Sequence, residues 1–244
     1  MFRILSSFLC SCLLLTANAA TLADSRQLIL VVSDNWDSST AALYSFERQQ
    51  QQWQAVGIDS QVTLGKNGSA WGIGIHQPQA GLQKAEGDGR APAGIFALRQ
   101  AFGYLPRQLR LPYLQMTAGH YCVDVPQSAH YNQIIDTSIT GAAAAEGSTE
   151  PMRRDLHVNG DQLYKLGVVV EHNPNNVSGA GSCIFMHLWR SPSSATAGCT
   201  AMPEGKLDAL LQWLDPEKQP VMVLLPRDEY QRLQAQWQLP ELVN

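Results

Sequence analysis

Ser182-Cys-Ile-Phe-Met-His-Leu-Trp-Arg-Ser-Pro-Ser-Ser-Ala-Thr-Ala-Gly-Cys-Thr-Ala-Met202 changes character twice. Cys183 to Leu188 is an apolar run of strand length, and Ser191 to Thr196 is a polar loop. Gly198-Cys199 then leads toward Leu207, Leu210, Leu211 and Leu214, which repeat at i, i+3, i+4 and i+7 behind Pro203, a good early-helix residue. The segment reads as strand, loop and helix, with an imidazole at the end of the strand and a thiol before the helix, facing each other across one cleft.

Working outward, Gln27–Val32, Thr40–Phe46, Trp53–Val56, Ile95–Leu98, Leu166–Glu171 and Pro220–Pro226 are short apolar or alternating runs that predict further strands. Between Trp71 and His76 glycines alternate with larger residues, as in a strand that another backbone approaches closely. Lys84–Gly94 and Asn173–Gly181 have loop composition. Pro126–Gly160 reads as a long excursion with at most one or two short helices, and residues 227–238 as a surface helix. No period of 20–50 residues recurs, which excludes solenoids and propellers. One mainly β domain with a helix or two is the economical reading.

The 244 residues are 45% apolar and 16% charged, which excludes global disorder, and a net charge of −4 without a Lys/Arg run excludes a nucleic-acid or anionic-membrane footprint. Met1-Phe2-Arg3, the apolar run Ile4–Thr16 and Ala17-Asn18-Ala19 form a positive start, a hydrophobic stretch and a small-x-small cleavage site, so residues 1–19 are expected to be a secretory signal. A membrane anchor would need about 20 apolar residues, and Ser6, Ser7 and Ser11 interrupt this run. Cys10 and Cys12 lack a lipobox-like context. The expected mature chain, 20–244, is a single exported domain with no integral membrane segment.

Three cysteines remain in an oxidising compartment, so one pair and one leftover thiol are expected. Cys122 and Cys183 both lie in strand-like contexts and are paired here; Cys199, in a turn-rich segment, is left free and exposed. A buried, inert Cys199 is the plain alternative. Zinc binding by the thiols with His120 or His187 lacks metal-ligand spacing.

A free cysteine is mostly thiol at neutral pH and needs a base or a helix N-terminus to become a nucleophile. His187 supplies the first and the helix after Pro203 the second. Gly198 leaves room for a carbonyl, and the amides of Gly198 and Cys199 are candidate oxyanion donors.

Thr196-Ala-Gly-Cys199, His187 upstream of it, and Pro92-Ala-Gly-Ile-Phe96 resemble the signature of the L,D-transpeptidase catalytic (YkuD-type) family: a strand His, then Ser/Thr-x-Gly-Cys, with a Thr-Pro-x-Gly-x-Phe segment. Lys84–Gly89 and Gly181–Phe185 resemble two motifs of an exported subgroup. The likeness covers about residues 71–226. It implies two mixed β-sheets in a β-sandwich, a helix after the nucleophile and a short C-terminal helix. It also implies Cys199 as nucleophile, His187 as general base then acid, no metal or organic cofactor, and peptidoglycan stem peptides as partners in the periplasm or cell envelope. The resemblance implies a thioester at the diaminopimelate carbonyl, passed to an amine.

Ala201 stands where the family commonly has Arg or Asn, Ala197 where it often has His, and Leu188 where Gly is frequent. The spacing of 12 between His187 and Cys199 is short for the family. Thr196 and Arg190 are the expected substrate-binding residues, with Arg153 the alternative cation for a stem-peptide carboxylate. The other readings are an L,D-carboxypeptidase or amidase-type hydrolase on the same substrate, and a catalytically silent peptidoglycan-binding module. Glu86 and Asp88 read as solvated charges of a turn, and His76, His120, His130, His157 and His172 are assigned no role.

Overall fold

The computed structural model describes residues 22–242; the expected signal segment, with Cys10 and Cys12, lies outside the described residues. In chain order the strands are β1 (Gln27–Ser33), β2 (Thr40–Gln49), β3 (Gln52–Ala55), β4 (Ser60–Thr63), β5 (Ser69–Trp71), β6 (Ala91–Ala97), β7 (Ala101–Gly103) and β8 (Tyr113–Gln115). There follow β9 (His120–Cys122), β10 (Ile134–Asp136), β11 (Glu150–Pro151), β12 (Leu166–Val169), β13 (Phe185–Leu188), β14 (Thr200–Met202) and β15 (Val221–Pro226). The helices are α1 (Thr137–Thr140), α2 (Arg154–His157), α3 (Glu204–Trp213) and α4 (Arg227–Trp237).

The chain is mainly β. The apolar run at the start becomes β1, which pairs in parallel with β15 and antiparallel with β2 and is buried along its whole length, its apolar side chains packed into the main hydrophobic core. Ile29, Leu30 and Val31 have no exposed surface, and each such aliphatic side chain contributes roughly 1.5–3 kcal/mol through burial. The large mixed sheet runs β5-β6-β15-β1-β2-β4-β14-β13-β12-β7-β8, with β3 added on β2. It therefore takes in β1, β2 and β4, which precede the 71–226 stretch that carries the motifs. The leucine periodicity becomes α3, burying Leu207, Leu210 and Leu211 and packing toward β12 and β13, and residues 227–237 form α4 against β1 and β15.

In the smaller sheet, β10-β9-β11, the central β9 falls where Cys122 reads as strand-like, while β10 and β11 arise in the Pro126–Gly160 excursion, for which at most one or two short helices are expected. It is wholly antiparallel, not mixed. Its strands are two or three residues long, and such pieces carry no readable alternation. The Cys122–Cys183 disulfide ties β9 to the entrance of β13, as the cysteine arithmetic predicts. Around it Phe102, Met116, Met152, Tyr164 and Phe185 form a second hydrophobic cluster.

Of the glycine-alternating segment only Trp71, the last residue of β5, is strand. Beyond Trp71 the chain crosses β6 at close range: Gly72 N–H donates to the Ala93 carbonyl at 2.8 Å, and a Cβ on Gly74 would lie 2.1 Å from the Ile95 oxygen. In turn β6 begins at Ala91, inside the segment read as loop. Gly94, at φ +138°, has His76 against it, and an added Cβ would sit 2.0 Å from the His76 Cε1. That ring accepts the Ile95 N–H at 3.0 Å, so His76 is a structural pin. Gly94→Ala is expected to cost at least about 2 kcal/mol, from backbone strain and the clash together, read as a fall in the denaturant midpoint at unchanged slope.

Candidate active site

His187 and Cys199 come together because β13 and β14 are adjacent and parallel, with His187 in register with Ala201. Cys199, two residues before Ala201, falls beside Phe185, whose N–H donates to its Sγ at 3.3 Å. Phe185 and His187 share one face of β13, both packed edge-on against the Tyr164 ring. On that face lies a cavity of about 300 Å³ lined by Cys199, His187, Tyr164, Glu150, Arg154 and Glu86 among others. Imidazole and thiol make no direct hydrogen bond: the thiol donates to the Cys183 carbonyl at 3.5 Å, and His187 Nδ1–H donates to the Leu188 carbonyl at 2.7 Å. A carbonyl can only accept, so in the neutral ring Nε2 is the free base.

Cys199 is unbridged, as expected, but it is not exposed: 7% of its surface is accessible, and it belongs to the second hydrophobic cluster. Nor does a helix N-terminus sit beside it, because β14 intervenes and α3 starts only at Glu204. Burial pushes the thiol up to about 12, helped by the Glu150 carboxylate and opposed by the Phe185 N–H. Burial also pulls His187 down to about 4, against the Leu188 carbonyl bond that favours the charged ring. At rest the pair is neutral thiol and neutral imidazole.

The loop before Cys199 is self-contained. Thr196 Oγ1 donates to the Cys199 carbonyl at 2.7 Å and accepts the Gly198 N–H at 3.1 Å. Thr196 lines the cavity, yet its hydroxyl is used by its own turn, and the Gly198 amide is committed with it. For the Cys199 N–H no acceptor is found among the described residues, so it is the one of the two expected oxyanion donors that stays available. Gly198 is needed for a reason other than substrate access, since a Cβ there would come 2.9 Å from the Arg90 carbonyl.

Arg190 lines the cavity and is paired with Asp161 at 2.6 Å, its side chain more than half exposed. Arg153 does not line it: its guanidinium is held by Asp155 and lies over Tyr104. The neighbouring Arg154 does, bonded to Asp161 at 3.2 Å, 3.8 Å from Glu150 and stacked over Tyr164. Sequence reasoning also missed Glu150 and Tyr164, whose hydroxyl donates to the Glu150 carboxylate at 2.6 Å; neither sits in a recognisable pattern. Glu86 is more than a solvated turn charge, because Tyr131 and Ser182 both donate to it, which joins the Lys84–Gly89 and Gly181–Phe185 segments. Asp88 is internal to its turn, paired with the buried Lys84 at 2.5 Å. His172 is a second structural pin, accepting from Ile73 and donating to the Ala180 carbonyl.

Among the described residues no three His, Cys, Asp or Glu side chains converge to hold a metal ion, and no helix is long and apolar enough to cross a membrane. No family model, curated protein or solved structure matches this chain.

The two shifted groups act on stability in opposite pH ranges. The thiol value is higher folded than unfolded, so its contribution is complete below about pH 9 and is lost as pH rises toward 12. The imidazole value is lower folded than unfolded, so its contribution is complete above 6.5 and is lost as pH falls toward 4. Melting temperature should therefore decline on both sides, with His187→Gln flattening the acid limb and Cys199→Ala the alkaline one.

Proposed function

We propose that the protein is an exported L,D-transpeptidase with the YkuD-type two-sheet fold, acting on peptidoglycan stem peptides. The observation that carries this reading is the meeting of an unbridged Cys199 and the free Nε2 of His187 on one cavity wall, within the Thr196–Cys199 segment whose pattern resembles that family.

Because both groups rest neutral, the chemistry begins with general-base catalysis. His187 Nε2 takes the thiol proton as Sγ attacks the diaminopimelate carbonyl, and the Cys199 N–H donates to the developing oxyanion. Collapse expels the amine of the terminal residue, which receives the proton from imidazolium, and leaves a thioester. An acceptor amine then attacks the thioester, gives its proton to His187 and releases the thiol. Water in place of the amine makes the same site an L,D-carboxypeptidase.

A silent peptidoglycan-binding module is the second reading, favoured by the deep burial of Cys199 and by Ala201, a small side chain on the cavity wall. Incubating the mature protein with disaccharide tetrapeptide and weighing the products separates the cases. A cross-linked dimer is the expected result, a tripeptide alone means hydrolysis, and unchanged substrate bound equally by wild type and Cys199→Ser means a binding module. His187→Gln is expected to lose about 10²–10⁴-fold in rate, and Cys199→Ser nearly all turnover. A carbapenem should add its mass to wild type but not to Cys199→Ser.

A further inference from the structure

The charged groups around Cys199 sort into three sets. Lys84 is neutralised by Asp88, and Asp161 is shared by Arg190 at 2.6 Å and Arg154 at 3.2 Å. Glu86 and Asp124 are held by neutral donors, Tyr131 with Ser182 and Thr149 respectively. Glu150 and Arg154 face the same cavity as the sulfur and lie 3.8 Å from each other, with Arg154 only partly neutralised because Asp161 also serves Arg190. His187 and Tyr164, the other titratable neighbours, rest uncharged, since burial lowers the imidazole and raises the phenol well above its ordinary value.

Glu150 is anchored twice. Its carboxylate accepts the Tyr164 hydroxyl, whose ring packs edge-on against His187 at 5.2 Å. Its backbone pairs in β11 with Cys122, whose disulfide partner Cys183 offers the carbonyl that receives the Cys199 thiol. The small sheet thus touches the base through Tyr164 and the nucleophile through Cys183.

We infer that Glu150 is a positioning residue for the nucleophile: held by Tyr164, its carboxylate opposes ionisation of the Cys199 sulfur, and Arg154 is the counterweight. This deepens the acyl-transfer reading, from which it takes its functional meaning. Burial raises the Glu150 carboxyl above its ordinary value, and the Tyr164 hydrogen bond and Arg154 oppose that rise and favour the carboxylate. Coulomb's law then sets the signs, a negative charge disfavouring thiolate and a positive one favouring it. A ligand cation seated against Glu150 would cancel the opposition, so occupancy of the cavity and readiness of the sulfur become linked.

The test is alkylation of Cys199 by iodoacetamide, an uncharged reagent, followed by intact mass from pH 7 to 10. Glu150→Gln keeps an oxygen for Tyr164 and removes the charge, and should alkylate about threefold to tenfold faster, the latter matching one unit in the thiol titration. Arg154→Gln should alkylate slower by a similar factor. In the Tyr164→Phe background the effect of Glu150→Gln should shrink, because the carboxylate is no longer held. Unchanged profiles, or both charge variants moving in the same direction as general loosening would produce, overturn the inference. Circular dichroism and melting identify a variant that fails to fold, and Glu150→Asp, with its charge kept, must then stay at the wild-type rate. Absence of product from tetrapeptide alongside the predicted alkylation pattern would remove the transferase reading and leave this one standing.

Discussion

The parallel pairing of β13 with β14 is the constraint on which the site depends. Parallel neighbours need a crossover, and here the connection is the polar loop from Trp189 to Gly198, which returns the chain so that His187 and Ala201 stand in register. A slip of one residue would turn every side chain of one strand to the opposite face, separating imidazole from thiol. The register is defended on both flanks. The Thr196 hydroxyl locks the turn before Cys199, and the Phe185 N–H holds the sulfur itself.

Around that pairing the molecule sets a reactive combination in a place that suppresses reactivity. Apolar neighbours and the disulfide pack around Cys199, and Tyr164 packs edge-on against both His187 and Phe185. Desolvation disfavours both charged forms, so a thiolate–imidazolium pair is not stored at rest. The same dry surroundings strengthen any hydrogen bond or charge that a ligand brings into the cavity. A resting neutral pair also limits adventitious oxidation and exchange of a lone thiol, since the thiolate is the reactive form.

The small sheet is the less expected part. Two of its three strands arise in a stretch whose polar and alanine-rich composition points to loop and short helix, and one covalent bond ties the sheet to the entrance of β13. Glu150 in β11 and the nearby Arg154 are brought to the cavity by the pairing of β11 with β9, whose Cys122 is bonded to Cys183, and Tyr164 enters from the segment before β12. They carry no motif, and their spacing to Cys199 says nothing until the chain is folded. The sequence reading offers Arg153 and not Arg154 as the alternative cation; at the start of α2 Arg153 is held by Asp155, and it is Arg154 that lines the cavity.

Read alone, the chain determines its long apolar strands, the α3 stripe and the Cys122–Cys183 pairing, and it singles out His187 and Cys199 as candidates, because hydrophobic period, cysteine parity and local motif are all short-range properties. Tertiary structure alone decides that Cys199 is buried, that the Gly198 amide is already committed, and that Glu150, Tyr164 and Arg154 surround the sulfur. Burial and electrostatic environment depend on what distant segments bring against a residue, and that information is spread over 40 residues or more of intervening chain in the case of Glu150 and Cys199.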